Sequence, residues 1–233
     1  MLGNGIDMKR QFLLITSVIV GALIILTIAS NQGIHEDNII ELTPAILDEF
    51  NGSELSSKWK IRENWNGTIS VSQGLLTLTD GTHKRVYSNV VSYTGNSKLT
   101  LSASILLTGY YQKFGFNVNP SESGQDSGIY FDTFCPTGFS CTDKNSTFTS
   151  DNNVIYYFIK NKTDSIVKHG EATIQNDQFH TLKIVMEEGN VSFLVDDRLL
   201  EKIQYTYEGP LTIGIWNDRP ASMKVDHVLL ELT

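Results

Sequence analysis

From Ile46 to the C-terminus, apolar residues return at every second position, in short runs broken by turn-forming residues. In FHTLKIVM at 179–186, Leu182, Ile184 and Met186 share one side, and in VSFLV at 191–195 Val191, Phe193 and Val195 do the same, with the turn EEGN between the runs. TISVS at 68–72 and LLTLT at 75–79 are separated by Gln-Gly, a hairpin signal. SKLTLSASILL at 97–107 alternates throughout, Asp196-Asp197 makes a tight turn into RLLEKIQY, and LTIGIW at 211–216 and SMKVDHVLLEL at 222–232 close the chain. Successive side chains of a strand point to opposite faces, so this pattern describes half-buried strands. No long segment outside the N-terminus has helical periodicity. Strands this closely spaced predict an all-β sandwich or barrel. Roughly 190 residues is large for a seven-strand immunoglobulin domain and fits a jelly roll of two larger curved antiparallel sheets.

Composition permits such a core, with 40% hydrophobic and 19% charged residues. The formal net charge is −8, and no Lys/Arg-rich run occurs outside the extreme N-terminus, which argues against a nucleic-acid partner. Residues 12–29 are uncharged and apolar, close to the length of a membrane-spanning helix. Lys9 and Arg10 precede them, which places the short N-terminus in the cytoplasm. The chain thus reads as a cytoplasmic N-terminus at 1–10, a transmembrane signal-anchor at 11–30, a polar tether at 31–43 and an extracytoplasmic jelly roll at 44–233. A cleaved signal peptide ending near Thr27-Ile28-Ala29, giving a secreted protein, is the alternative, although secretory apolar regions usually run about 7–15 residues.

Outside the cell, Cys135 and Cys141 are candidates for a disulfide closing a short loop. Glycosylation sequons stand at Asn51, Asn66, Asn145, Asn161 and Asn190, only modestly more than roughly three expected by chance in a chain this rich in Asn, Ser and Thr. The polar stretches at 119–128 and 135–153 read as long connections on either side of one strand, either functional loops or surface excursions. No His or Cys/His spacing suggests zinc.

Taken in order, DEFNGSELSSKWKI at 48–61, GTISV at 67–71, GLLTLT at 74–79, FGFNV at 114–118, GIYFD at 128–132, HTLKIVM at 180–186, FLVDDRLL at 193–200, IGIWND at 213–218 and VDHVLLEL at 225–232 resemble the concanavalin A-like lectin/glucanase superfamily. The likeness is nearest to laminarinase-like relatives in glycoside hydrolase family 16. Asp197 departs from the Gly usual at its place, and Asp tolerates the left-handed conformation better than most residues. The resemblance implies a concave sheet face that holds a sugar chain. The hydrolases carry Glu-x-Asp-x-x-Glu on one strand of that face, because a retaining glycosidase needs carboxyl groups about 5–5.5 Å apart.

No such motif occurs here. If Ile129 and Phe131 face the core, Tyr130 and Asp132 face the groove, and only Asp132 is a carboxylate. Glu122 and Asp126 fall in a loop and Glu187-Glu188 in a turn. By the same alternation Trp216 faces the groove, as an exposed stacking platform for sugar or as a residue buried under a loop. Tyr130, Asp132, Asn217, Asp218 and Trp65 are the candidate polar and rim contacts, whereas Trp59 reads as core. The resemblance further implies a structural calcium, with Asp226 and Glu49 as its candidate ligands. The sequence therefore points to a membrane-anchored carbohydrate-binding module without the standard catalytic carboxylates. A divergent hydrolase of a β-glucan-like polysaccharide and a structural cell-envelope protein are the alternatives.

Overall fold

The structure is a computed structural model, and it describes residues 45–61, 67–79, 84–89, 91–108, 112–119, 127–133, 152–161, 166–175, 177–217 and 222–233. The apolar run at 12–29, Trp65, Asn66, Glu122, Asp126, Cys135, Cys141, Asn145 and Asp218 lie outside these residues. Among the described residues the regular structure is all strand, joined by turns, bends and irregular loops. In chain order the strands are β1 (Ala45–Asp48), β2 (Trp59–Ile61), β3 (Thr68–Ser72), β4 (Leu75–Thr79), β5 (Lys84–Ser88), β6 (Val91–Tyr93), β7 (Leu99–Leu107) and β8 (Gln112–Asn119). They continue as β9 (Ser127–Asp132), β10 (Asn152–Lys160), β11 (Ile166–Gln175), β12 (His180–Glu187), β13 (Asn190–Val195), β14 (Arg198–Gln204), β15 (Gly209–Asn217) and β16 (Met223–Leu232).

Two antiparallel eight-stranded sheets result. The first runs β14-β13-β12-β7-β16-β4-β3, with β1 beside β16, and the second runs β11-β10-β9-β8-β15-β5-β2, with β6 beside β15. The expected strands are present. β5, β10 and β11, which carry less regular alternation, complete the second sheet.

Three hairpins set the register of the first sheet. Their central residues, Gln73-Gly74, Glu188-Gly189 and Asp196-Asp197, all have positive φ, between 50° and 75°. That is the requirement of the tight two-residue turn whose twist matches its strands. Asp196 reinforces its turn by accepting from the backbone N–H of Thr181 at 2.9 Å. Register matters because a one-residue slip would turn every apolar side chain outward.

The core lies between the sheets. Leu101, Ile105, Ile184, Phe193 and Val225 of the first face Phe114, Phe116, Ile129, Phe131, Ile155, Ile213 and Ile215 of the second, all essentially inaccessible. Phe131 meets Phe193 edge-on, with ring centres 5.4 Å apart. Trp59 is core as expected, with its indole N–H donating to Asp48 at 2.9 Å. At one margin the Tyr157 hydroxyl donates to Glu201 across the sheets at 3.2 Å, and Lys168 pairs with the same carboxylate at 3.1 Å.

Candidate functional site

Strand alternation on β9 and β15 is as read from the sequence. Ile129, Phe131, Ile213 and Ile215 join the core, so Tyr130, Asp132 and Trp216 point to the opposite, outer face of the second sheet. Antiparallel partners share a face, and the registers therefore assemble rows across the strands. One row is Glu171, Tyr156, Asp132, Lys113, Trp216 and Arg85, from β11 to β5. The next is His169, Phe158, Tyr130, Gly115, Gly214, Tyr87 and Lys60. A third holds Lys160, Gly128, Asn117 and Thr212.

Trp216 is not an exposed platform: it is 1% accessible. Its ring packs edge-on against Tyr130 at 5.3 Å and Tyr87 at 5.7 Å, and its indole N–H donates to the Tyr87 hydroxyl at 2.9 Å. Tyr130 in turn meets Phe158 edge-on at 5.4 Å. These four rings form a second buried cluster, separate from the inter-sheet core. Glycine makes room for it. A Cβ at Gly214 would strike the Trp216 ring, and one at Gly128 would strike Tyr130. The aromatic residues that suggested a stacking surface thus satisfy one another.

Asp132 is buried on this face and pairs with Lys113, directly opposite on β8, at 3.4 Å. Asn217 does not belong to the outer face. It sits between the sheets, donating to the Leu78 carbonyl at 2.9 Å and accepting from Gln112 at 3.3 Å. This differs from the rim contact expected from the sequence, and the physical reason is that the amide bridges the two sheets. Asp218 and Trp65, being outside the described residues, join no row.

The two calcium candidates are engaged locally. Glu49 accepts from the Asn51 amide at 2.7 Å, and Asp226 pairs with His227 at 3.1 Å. Among the described residues no group of three or more His, Cys, Asp or Glu is arranged to hold a metal ion, so the expected pair is not extended into a calcium site. His180 is also committed, with one ring nitrogen 2.7 Å from Asp196 and the other 2.9 Å from the Gln175 carbonyl. Of the sequons, Asn51 is exposed, whereas Asn161 and Asn190 are half-buried; the Asn190 amide donates to the Glu188 carbonyl at 2.9 Å.

Sequence reasoning missed Arg85, Lys113, Tyr156 and Glu171. Tyr156 and Phe158 were findable, since VIYYFIK at 154–160 alternates once Ile155, Tyr157 and Ile159 are placed in the core. Glu171 was not, because the β11 sequence IVKHGEATIQ gives no clear core face.

No protein-family model and no curated protein sequence matches the chain. Its fold does match solved structures. The carbohydrate recognition domain of Emp46p, as a Y131F mutant, superposes with a TM-score of 0.55 at 11% identity, over 82% of this chain and 97% of that one. An endo-beta-1,3-glucanase from Pyrococcus furiosus gives 0.51 at 16% identity, over 80% and 93%. Porphyranase B from Zobellia galactanivorans gives 0.50 at 12%, over 80% and 90%. The Emp46p domain is also solved in potassium-bound and metal-free forms. The shared feature is the fold, a jelly roll of two antiparallel sheets, and these structures include a carbohydrate recognition domain, an endo-beta-1,3-glucanase and a porphyranase.

Proposed function

We propose that this chain is a carbohydrate-binding jelly-roll module, held outside the cytoplasm by its N-terminal apolar segment, and that it does not hydrolyse its glycan. The observation that carries the reading is the in-register row Glu171, Tyr156, Asp132, Lys113, Trp216 and Arg85 on the outer face of the second sheet. It is the face on which the resemblance places the sugar groove. The likeness of fold to a carbohydrate recognition domain and to polysaccharide hydrolases supports a glycan partner. The glycan meets hydrogen-bonding and charged groups at the accessible margins of the face, while the aromatic cluster forms its rigid floor. A structural cation would need ligands beyond Glu49 and Asp226. Apolar length and the Lys9-Arg10 flank support the anchor, and an oxidising exterior supports a Cys135–Cys141 bond, which mass spectrometry of unreduced protein would reveal.

The absence of hydrolysis rests on spacing. The other carboxylate of the row, Glu171, stands two strands from Asp132, so their backbones lie about 9.6 Å apart at the usual inter-strand distance. A retaining pair needs about 5–5.5 Å. The hydrolase reading has one specific support: inverting enzymes hold their carboxyl groups about 6.5–9.5 Å apart with a water between, a separation that side chains on strands this far apart can reach. The Asp132–Lys113 ion pair favours binding over catalysis, since it commits Asp132 to a neighbouring cation. Incubation with β-glucans and other polysaccharides, followed by parallel binding and reducing-end assays, distinguishes the two readings. Binding without new reducing ends supports the module, and reducing ends lost in both Asp132→Asn and Glu171→Gln support the inverting enzyme.

A further inference from the structure

We propose that Asn51 is a self-modifying position, whose side-chain carboxamide is attacked by the backbone nitrogen of Gly52 and ends as aspartate or isoaspartate. The chemistry needs only water. The Gly52 nitrogen gives its proton to solvent base and bonds to the Asn51 Cγ. The Cγ–Nδ2 bond breaks, and that nitrogen takes a proton from water and leaves as ammonia. The succinimide ring that results then takes up a water. Opening at the Cγ–N bond gives aspartate, and opening at the main-chain carbonyl gives isoaspartate, whose backbone runs through the former side chain.

Among the described residues, Asn51 is the one asparagine followed directly by glycine. A side chain at the next position would crowd the approach of the attacking nitrogen, and glycine has none. Asn51, Gly52, Ser53 and Glu54 are all exposed and lie outside any strand, so the ring can close without disturbing either sheet. The base of the segment is fixed. Asp48 accepts from the Phe50 backbone N–H at 2.8 Å, the Ser56 hydroxyl at 2.7 Å and the Trp59 indole at 2.9 Å. Gly52 is also not demanded by the fold. A Cβ there would come no nearer than 3.4 Å to the Glu54 carbonyl oxygen, an ordinary contact, and its φ is not left-handed. Gly74 and Gly189 have φ 75° and 70°, and Gly128 and Gly214 have no room for a side chain. Asn190 shows the contrast: it is half-buried, its amide is tied to the Glu188 carbonyl at 2.9 Å, and the bulky Val191 follows it.

Conversion changes what the loop holds. The Asn51 amide now donates to the Glu49 carboxylate at 2.7 Å, and its Oδ1 lies 3.7 Å from where a Cβ of Gly74 would stand, in the turn between β3 and β4. Either product replaces the donor with a second carboxylate, and like charges at this range repel. The exposed tip of the loop is then released from Glu49 while the three contacts to Asp48 keep its base in place. A glycan attached at the Asn51-Gly52-Ser53 sequon would bond through the same nitrogen and close the route.

The test uses full-length protein made in a host without N-glycosylation and held in detergent in mildly alkaline buffer for several weeks. Peptide mapping with electron-transfer fragmentation tells asparagine, aspartate and isoaspartate apart. The Asn51 peptide should convert steadily, with isoaspartate the larger product. Gly52→Ala keeps the sequon and should slow conversion about tenfold or more, with the melting temperature unchanged. Ser53→Ala removes only the sequon and should convert at the wild-type rate. Asn51→Asp copies one product and should speed hydrogen exchange at the amides of Gly52, Ser53 and Glu54 about threefold or more. An Asn51 that stays an amide while a synthetic peptide of residues 48–56 converts would overturn the proposal. Conversion as fast in Gly52→Ala as in the wild type would overturn the route through the Gly52 nitrogen. Unchanged exchange in Asn51→Asp would overturn the release of the loop.

Discussion

Trp216 illustrates how far one side chain's direction is decided by its neighbours. Ile213 and Ile215 send it away from the core, yet it remains almost inaccessible because Tyr87 and Tyr130 enclose it. Its contribution is then chiefly to stability. Trp216→Ala should lower unfolding free energy by about 3–5 kcal/mol in urea titrations, as for other large-to-small changes in packed sites. Tyr87→Phe removes the acceptor of the indole N–H and should cost about 1–3 kcal/mol, the penalty of an unsatisfied buried donor. If Trp216→Ala unfolds at the wild-type midpoint, the ring is not packed as described. Asp132 differs in kind, since it faces the same side but is a buried carboxylate paired with Lys113.

At the scale of the strand and its turn, the sequence was most readable where chemistry is local. Gln-Gly, Glu-Gly and Asp-Asp between alternating runs mark three turns, and the structure has turns at all three, with positive φ at their central residues. Asp197 has φ 60°, so Asp197→Val should destabilise by about 1–2 kcal/mol, whereas Asp197→Gly should be near neutral, the lost Lys183 contact being offset by relief at the backbone. Equal thermal midpoints for the two variants would contradict the turn assignment. Less legible was whatever depends on pairing between distant strands. The alternation of β9 gives the direction of Asp132, but nothing local announces that Lys113 lies opposite or that Glu171 falls two strands along the same row. Asn217 was misread for the same reason, its partner being the Leu78 carbonyl of the other sheet. The link between Tyr157 and Glu201 is likewise non-local and has a consequence for pH. Burial first, and the adjacent Glu201 second, push the Tyr157 hydroxyl from 10.0 up to about 12. The folded-state value is raised, so the stabilisation is complete below pH 10 and is lost as pH climbs from about 10 toward 12. Chemical unfolding at pH 9 and pH 11 should show a drop in the wild type that is smaller in Tyr157→Phe. An equal drop in both would assign the alkaline loss to other tyrosines.

At the scale of the whole fold, the two-sheet sandwich explains how a chain at 11–16% identity to its structural neighbours shares their fold. The alternating inner faces need only remain apolar and of suitable volume, while the outer faces are free to diverge. The anchor proposal belongs to this scale too. Carbonate-washed membranes should retain the protein with residues 12–29 intact, and a soluble mature form beginning near Ser30 would contradict it. The central claim is that the outer face of the second sheet binds a glycan without cleaving it. The most direct measurement is binding and reducing-end release on the same polysaccharide panel, for the wild type and for Asp132→Asn. The account predicts saturable binding to at least one glycan, weakened by the substitution, with no new reducing ends over prolonged incubation. Reducing ends that accumulate with the wild type and vanish with Asp132→Asn would contradict it, as would the absence of binding to any glycan.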